Sequence, residues 1–185
     1  MPVVDPTVID AAREIFVRRL ELLGASRISV TTASNMTFTM RLPGAVPQTT
    51  VEQALRSVGR VTAVPPFAGE SLVEGAPVPD WFPVIWDSGD AVRSASVINQ
   101  SAMPAIEIVL TDDGAKALSQ YTATHVGEPL ALVLDGIVLT TPTIQTPISG
   151  DTLVVVLGGH SAIDPTALAT ILSSGPLPNR WHPGD

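Results

Sequence analysis

The stretch "PLALVLDGIVLT", residues 129–140, carries the clearest structural signal in this chain of 185 residues. Two aliphatic runs of strand length flank Asp135-Gly136, and this dipeptide favours a tight primed turn because both central positions need a positive φ. The stretch therefore predicts two antiparallel strands that meet at Asp135-Gly136. Residues 127–144 contain no Cys, His, Lys or Arg, so we expect this region to act through shape and surface and not through reactive groups.

A strand and a helix are predicted before this hairpin. Residues 105–110 (AIEIVL) have the composition of a buried strand. The helix follows with Thr111 as its N-cap and with Asp112 and Asp113 in its first turn, where the helix dipole favours negative charge. These two carboxylates therefore have a structural explanation.

Further strand is predicted after the hairpin, in residues 141–151 (TPTIQTPISGD) and residues 152–159 (TLVVVLGG). Pro142 and Pro147 cannot donate to a β-ladder and therefore mark edges or bulges. The chain closes with a helix that Asp164-Pro165 begins and Gly175-Pro176 ends.

The first part of the chain begins with a helix whose ends are visible in the sequence. Asp5-Pro6 supplies the N-cap and the first helical residue, and Gly24 supplies the stop. Apolar and polar residues then alternate over residues 27–31 and 37–42, which predicts two half-buried strands. A turn at Asn35 makes an antiparallel hairpin the simplest pairing.

A second helix is predicted over residues 50–59, with a capping box formed by Thr50 and Gln53. Residues 60–64 then return as a strand. The order helix, strand, strand, helix, strand is most of a ferredoxin-like split unit, in which two helices cover one face of an antiparallel sheet. We assign this unit to residues 1–65.

The segment over residues 66–104 differs in composition from its neighbours. Its aromatic residues are Trp81, Phe82 and Trp86, and prolines occur in and beside it at positions 65, 66, 77, 79, 83 and 104. We interpret it as a Pro-rich connector held to the body by buried aromatic side chains. The alternative is an aromatic patch that binds a ligand.

The sequence thus predicts an α+β protein with a ferredoxin-like base over residues 1–65, the connector over 66–104 and a smaller α+β head with an antiparallel sheet over 105–178. The last helix, 164–174, is open to packing on the base. Residues 179–185 are predicted to form a frayed tail.

Composition excludes several functions. The chain is 45% hydrophobic with a mean hydropathy of +0.33, which is enough for a buried core. A net charge of −8 opposes nucleic-acid binding, which depends on Lys and Arg. The absence of cysteine excludes disulfides and thiolate chemistry. No signal-peptide pattern or membrane-spanning apolar run is present, so we expect membrane contact only through segments outside this chain.

The sequence offers no convincing catalytic or metal site. The three histidines, His125, His160 and His182, lack the spacing of a metal pair. A hydrolase built on His160 and Ser161 is the weakest hypothesis, because no G-x-S-x-G elbow surrounds that serine. The aspartates at 135 and 151 lie in predicted turns. We therefore expect no catalytic residues, no metal and no cofactor.

Three groups of residues follow one another in a specific order. The first is an Arg-Leu-x-x-Leu-Gly helix end and a Leu-Pro-Gly turn, at Arg19, Leu20, Leu23, Gly24, Leu42, Pro43 and Gly44. The second surrounds the Asp-Gly hairpin, at Thr122, Gly127, Leu130, Ala131, Asp135, Gly136, Val138 and Pro142. The third closes the chain, at Ala169, Leu172, Ser174, Gly175, Leu177 and Pro178.

Taken together, these groups resemble the large extracytoplasmic domain of SecD, the accessory subunit of the Sec protein-translocation machine. The resemblance implies a non-catalytic module with a base and a mobile head that contacts preprotein and hinders its backsliding. The implied partners are unfolded secretory polypeptide and Sec translocon subunits, and the implied location is extracytoplasmic, at the cell membrane. The membrane bundle of the family has no counterpart in this chain.

The resemblance and the hairpin pattern suggest a candidate polypeptide-binding surface on the head, made of Thr122, Gly127, Asp135, Gly136, Pro142, Ile144 and Pro147. Strand addition at the edge formed by residues 142–148 is one way in which this surface would hold an extended chain. The alternative function is a stand-alone, lipoprotein-like extracytoplasmic module that reuses the fold for another ligand.

Overall fold

A computed structural model describes residues 6–32, 36–66, 72–100, 103–157 and 163–178. The helices are α1 (Pro6–Leu22), α2 (Gln48–Arg56), α3 (Ser88–Ala91), α4 (Asp112–Thr122) and α5 (Pro165–Ser174). The strands are β1 (Ser26–Thr32), β2 (Met36–Arg41), β3 (Val61–Val64), β4 (Trp86–Asp87), β5 (Val92–Gln100), β6 (Met103–Leu110), β7 (Ala131–Leu134), β8 (Ile137–Thr140) and β9 (Thr152–Val156).

The strands form three antiparallel sheets. Strands β1 and β2 make a two-stranded sheet, β4-β3-β7-β8 make a four-stranded sheet, and β5-β6-β9 make a three-stranded sheet. This arrangement confirms the predicted α+β class with antiparallel pairing. Helix α5 packs against α1, α2 and β5, so it joins the beginning of the chain to the three-stranded sheet.

The local sequence signals hold where the structure describes them. Strands β7 and β8 turn at Asp135-Gly136, whose φ angles are 49° and 82°, as a primed turn requires. Thr111 caps α4 by accepting from the backbone N–H of Gly114, and Asp164 caps α5 in the same way. The predicted cap at Asp5, the turn at Asn35 and the tail at 179–185 lie outside the described residues.

The ferredoxin-like arrangement predicted for residues 1–65 is not what the strand pairing shows. Strand β3 pairs with β4 and β7 and not with the β1–β2 hairpin. The reason is burial: three of the four residues of β3 are buried, as are all four of β7. A strand covered on both faces belongs at the centre of a sheet, between neighbours.

The predicted capping box of α2 is also wrong. The helix begins two residues earlier than predicted, with Pro47 as an N-cap that makes no side-chain hydrogen bond. Thr50 therefore lies inside the helix, and its Oγ1 has no partner among the described residues. The side chain of Gln53 instead accepts from the backbone N–H of Asp164, which links α2 to the start of α5.

The segment predicted as a connector contains regular structure. Strand β4, the single turn of α3 and the nine-residue strand β5 all lie between residues 86 and 100. Phe82 and Trp86 are buried, as the connector interpretation expects, whereas Trp81 is 60% exposed. After the hairpin, residues 141–151 form an irregular segment with one isolated bridge, and the predicted strand there is absent from the described structure.

One buried guanidinium lies where the helices meet. Arg19, near the end of α1, has no exposed surface. Its Nε donates to Ser174 Oγ (3.1 Å), and its four terminal N–H groups donate to the carbonyl oxygens of Ala54, Ser57, Val58 and Gly175 at 2.6–3.2 Å. All five donors of the side chain therefore have an acceptor.

Asp135 completes this cluster from the other side. Its carboxylate accepts from Ser57 Oγ (2.5 Å) and from the backbone N–H groups of Gly59 (2.9 Å) and Arg60 (2.8 Å). Burial lowers the pKa of Arg19 to about 10, and the charge of Asp135 opposes that shift. The guanidinium therefore remains charged at neutral pH, with a carboxylate as its nearest compensation.

Gly59 is the residue that lets the guanidinium lie close to the backbone after α2. It has a φ of +89°, and a Cβ built on it would lie 2.3 Å from Arg19 Nη2 and 2.9 Å from Ile171 Cγ2. Any larger residue at this position would both strain the backbone and push the guanidinium from its acceptors.

We expect Arg19→Met to destabilise the chain by about 3–5 kcal/mol, because it removes the buried charge and leaves its acceptors and the Asp135 carboxylate uncompensated. Chemical denaturation followed by circular dichroism measures this change. Arg18→Met is the matched control, since Arg18 is exposed on the same helix and should change stability by no more than about 0.5 kcal/mol. Equal losses for the two variants would contradict the structural role of Arg19.

Gly114→Ala tests the contact between α3 and α4. Alanine favours a helix by about 1 kcal/mol, but a Cβ at this position would lie 2.5 Å from the carbonyl oxygen of Ala91. We expect a net destabilisation of about 1–3 kcal/mol from this clash. Gly44→Ala is the control, because nothing lies within 4 Å of its added methyl group, and thermal unfolding should show it to be neutral or slightly stabilising.

Candidate functional site

An apolar groove opens between the two larger sheets. Its floor comes from β3, β4 and β7, one wall from β9, and the other wall from the irregular segment after the hairpin. Its volume is about 230 Å³. The lining residues are Ala63, Trp86, Leu130, Ala131, Leu132, Pro142, Thr143, Ile144, Gln145, Thr146, Ile148, Leu153, Val154 and Val155. We call this feature the apolar groove.

The second wall of the apolar groove is held by backbone hydrogen bonds. The N–H of Ile144 donates to Glu128 O (2.9 Å), and its carbonyl accepts from Gly127 N–H (2.8 Å). Leu130 N–H donates to Pro142 O (2.9 Å). An irregular segment with these contacts keeps a fixed course beside β7, so the groove is built into the native structure.

Thr122 fixes the far end of the same wall. Its side chain is fully buried at the end of α4, and its Oγ1 accepts from the backbone N–H of Ile148 at 3.0 Å. The hydroxyl also donates to Ser119 O within the helix. Thr122 is thus a positioning residue that ties residues 142–148 to α4.

The chemistry of the apolar groove is that of an uncharged surface. None of its lining residues is ionisable, and the polar ones, Thr143, Gln145 and Thr146, are exposed. The indole N–H of Trp86 on the floor is buried without a hydrogen-bond partner among the described residues. Such a site favours aliphatic groups and disfavours charged ones, since a charge there would lose water without gaining a partner.

The structure brings together five of the seven residues predicted for the binding surface. Pro142 and Ile144 line the groove, Gly127 and Thr122 hold its wall by hydrogen bonds, and Pro147 is exposed on the same segment. Their proximity follows from the return of the chain beside β7. Their part in binding polypeptide stays a prediction.

The other two predicted residues, Asp135 and Gly136, lie elsewhere. They form the tip of the β7–β8 hairpin, where Asp135 binds residues 57–60 and Gly136 O accepts from Val78 N–H (2.7 Å). Their hydrogen bonds give them a structural task. A second, more open depression beside this tip is lined by Val58, Arg60, Thr62, Val64, Val78, Pro79, Asp80, Phe82, Val84, Val133, Asp135 and Gly136.

The sequence reasoning missed the wall contributed by β9 and the floor contributed by Trp86. Leu153, Val154 and Val155 were predicted as strand, but nothing local indicates which edge of the strand is open or which segment faces it. Trp86 was treated with Trp81 and Phe82 as an aromatic anchor. Only the pairing of β4 with β3 places it in the groove.

The histidine candidates do not form a site in the described structure. His125 lies three residues after the end of α4. Its ring stacks on Tyr121 at 3.9 Å between centroids, and its Nδ1 contacts Tyr121 O (2.8 Å). His160, Ser161 and His182 lie outside the described residues. Among the residues that are described, no cluster of three His, Cys, Asp or Glu side chains could hold a metal.

Comparisons with known proteins agree on one family. A family model described as "SecDF, P1 head subdomain" matches residues 84–179, more than half of the chain. Protein translocase subunit SecD of Acidaminococcus fermentans is 31% identical over 178 residues, which cover 95% of this chain and 38% of that protein. SecD of Acetobacter pasteurianus is 31% identical over 182 residues, covering 89% of this chain and 35% of the relative.

Two solved structures share the fold. The crystal structure of SecDF in a super-membrane-facing form matches with a TM-score of 0.76 and 20% identity, over 96% of this chain and 28% of that one. A structure described as that of a membrane component, SecDF, that enhances protein export matches with a TM-score of 0.69 and 20% identity, over 96% of this chain and 92% of that one.

The chain spans less than two fifths of the length of the two SecD relatives. None of the helices in its described part is long and apolar enough to cross a bilayer. The head-subdomain model matches residues 84–179, which include the second half of the segment predicted as a connector. Strand β5 lies in this part. On this evidence the chain belongs to the SecD/SecDF family of protein translocase subunits.

Proposed function

We propose that this chain is an extracytoplasmic part of a Sec translocase accessory subunit, and that it contacts unfolded secretory polypeptide through the apolar groove. The observation that carries the proposal is an uncharged groove of about 230 Å³ in a member of the SecD/SecDF family. Residues with no ionisable side chain suit a ligand that presents many different apolar segments in succession.

The size of the groove also suits this ligand. A volume of about 230 Å³ is small for a drug-sized molecule, whose pockets span roughly 300–1,000 Å³. It is large enough for one or two aliphatic side chains of an extended chain. A contact of this size is weak by itself, so a polypeptide would be held and released repeatedly.

The proposal includes a head that moves relative to α1 and α2, as the family resemblance implies. The four ladder pairs between β3 and β7 favour a moving unit that carries β3 with it. The boundary of such a unit would then lie near residues 57–60, where Arg19 binds the carbonyl oxygens of residues 57 and 58 and Asp135 binds the N–H groups of residues 59 and 60. Movement of the head at this boundary would break hydrogen bonds made by Arg19 and Asp135.

Photocrosslinking tests the contact directly. With p-benzoylphenylalanine at Thr143, an exposed position on the groove rim, we expect crosslinks to an unfolded secretory polypeptide and not to the same polypeptide after folding. The probe at Arg18, exposed on α1, is the matched control and should crosslink to neither form. Equal yields from the two positions would contradict a role for the groove.

The salt dependence of binding is a second test. Because the apolar groove has no ionisable lining residue, we expect the affinity for an unfolded polypeptide of net positive charge to change by less than about twofold between 0.05 and 0.5 M NaCl, a range over which exposed charges become strongly screened. Isothermal titration calorimetry measures this change. A tenfold loss would indicate that the charged surface, with its net charge of −8, dominates the contact instead.

A further inference from the structure

Strand β9 pairs with β6 along one edge, and the hydrogen bonds beyond its ends show which residues face β6. Leu110 N–H donates to Asp151 O at 2.6 Å, and Leu157 N–H donates to Pro104 O at 3.4 Å. In an antiparallel ladder the residues whose backbone faces the partner alternate with those whose backbone faces away. Positions 151, 153, 155 and 157 of β9 and its flanks therefore face β6.

The intervening residues Thr152, Val154 and Val156 direct their backbone N–H and C=O groups to the opposite edge. Strand β9 is terminal in the sheet order β5-β6-β9, and no described strand pairs with this second edge. An unpaired edge presents a row of donors and acceptors that another extended chain can complete. Leu153, Val154 and Val155 also form one wall of the apolar groove, so the open edge borders the groove.

The opposite wall does not offer a ladder edge of its own. The carbonyl of Pro142 already accepts from Leu130 N–H, and the backbone of Ile144 is bonded to Gly127 and Glu128. The N–H of Ile148 donates to Thr122 Oγ1. Strand addition at residues 142–148 would break these contacts. This segment therefore contributes side chains to the groove, and the free backbone groups come from β9.

Both faces of β9 are apolar next to the open edge. On one face Val155 is buried and Leu153 is partly buried against the main core. On the other face Val154 and Val156 are 39% and 40% exposed. A strand beside β9 would therefore meet aliphatic side chains at four consecutive positions, 153–156, and not only at alternate positions, which favours a continuous aliphatic segment over an amphipathic one.

The geometry points to strand addition at β9. An extended, uncharged and mainly aliphatic segment of the transported polypeptide would hydrogen-bond to Thr152, Val154 and Val156, form a fourth strand beside β9, and place a side chain in the apolar groove. This inference rests on the proposed function and specifies the backbone groups and the class of segment that it uses. It also explains how a site without charged residues holds many sequences, since backbone hydrogen bonds are common to all of them.

Backbone N-methylation of a model ligand provides the test, with the full 185-residue chain. The ligand is a nine-residue peptide with a central Leu to set the register, Val and Thr around it, and Lys only at its ends. In one methylated version, the N-methyl groups are on the central residue and on the residues two positions before and after it. In the other, they are on the residues directly before and after the central one. Because one edge of a strand uses only alternate residues, the two versions remove hydrogen bonds to β9 unequally.

We expect one methylated version to bind like the parent peptide and the other to lose at least about tenfold in affinity, since two or more backbone hydrogen bonds are removed. Fluorescence of Trp86 on the groove floor reports binding in a Trp81→Phe, Trp181→Phe background. Equal binding by both versions, or equal loss by both, would overturn strand addition and leave the proposed function intact. Failure of the parent peptide to bind would count against the proposed function itself.

Val154→Pro tests the same edge from the side of the protein. The backbone N–H of Val154 points to the open edge and makes no hydrogen bond to β6. Proline is tolerated at such positions of an edge strand. We expect Val154→Pro to weaken binding of the parent peptide at least fivefold more than Val154→Ala, which keeps the N–H. Equal affinities for the two variants would overturn the inference, and the methylated peptides test it with the natural chain if Val154→Pro does not fold.

Discussion

A single buried guanidinium connects parts of the chain that are far apart in sequence. Arg19 donates to α5 through Ser174 and Gly175, and to the end of α2 through Ala54, Ser57 and Val58. Removing a charge from water is unfavourable unless every donor finds a partner, so these acceptors must stay in place together. Asp135 accepts hydrogen bonds from Ser57, Gly59 and Arg60 and thereby ties the tip of the β7–β8 hairpin to the same segment. Because β7 supplies part of the groove floor, the position of the groove depends indirectly on this buried charge.

The groove itself has the opposite character. The charged cluster is specific and fully satisfied, whereas the groove is uncharged and leaves backbone groups of β9 open among the described residues. A surface of this kind discriminates little between aliphatic sequences, because it uses burial and main-chain hydrogen bonds and not individual polar side chains. With strand addition as proposed, it would exclude folded proteins by geometry, since their backbone groups are already paired. The combination of a rigid support and a tolerant groove is what the proposed contact with many different unfolded chains requires.

Local features of the fold could be predicted from the sequence, whereas the long-range pairing of strands could not. The hairpin at Asp135-Gly136 and the caps at Thr111 and Asp164 depend on residues within four positions of one another, and the structure agrees with each. The partner of β3 depends on a strand about seventy residues away, and no local pattern encodes that choice. The groove is harder still, because its floor and walls come from five separate segments. Thr122 was identified through family resemblance and Ile144 as part of the predicted edge at residues 142–148, whereas Trp86 and the edge of β9 required coordinates.

The distance in sequence between Arg19 and Ser174, 155 positions, bears on when the domain becomes stable. If the chain crosses a membrane N-terminus first, as the proposed function requires, α1 emerges before α5, so the guanidinium has no complete set of acceptors until Ser174 and Gly175 have also crossed. Contacts of such long range slow folding, because the loop must close before they form. During that interval α1 would present an uncompensated arginine and the apolar side chains of Ala12, Phe16 and Leu20, which are buried in the native structure. Such a surface is the kind that holding factors bind. A member of an export family would then itself be, for a time, a client of the export process.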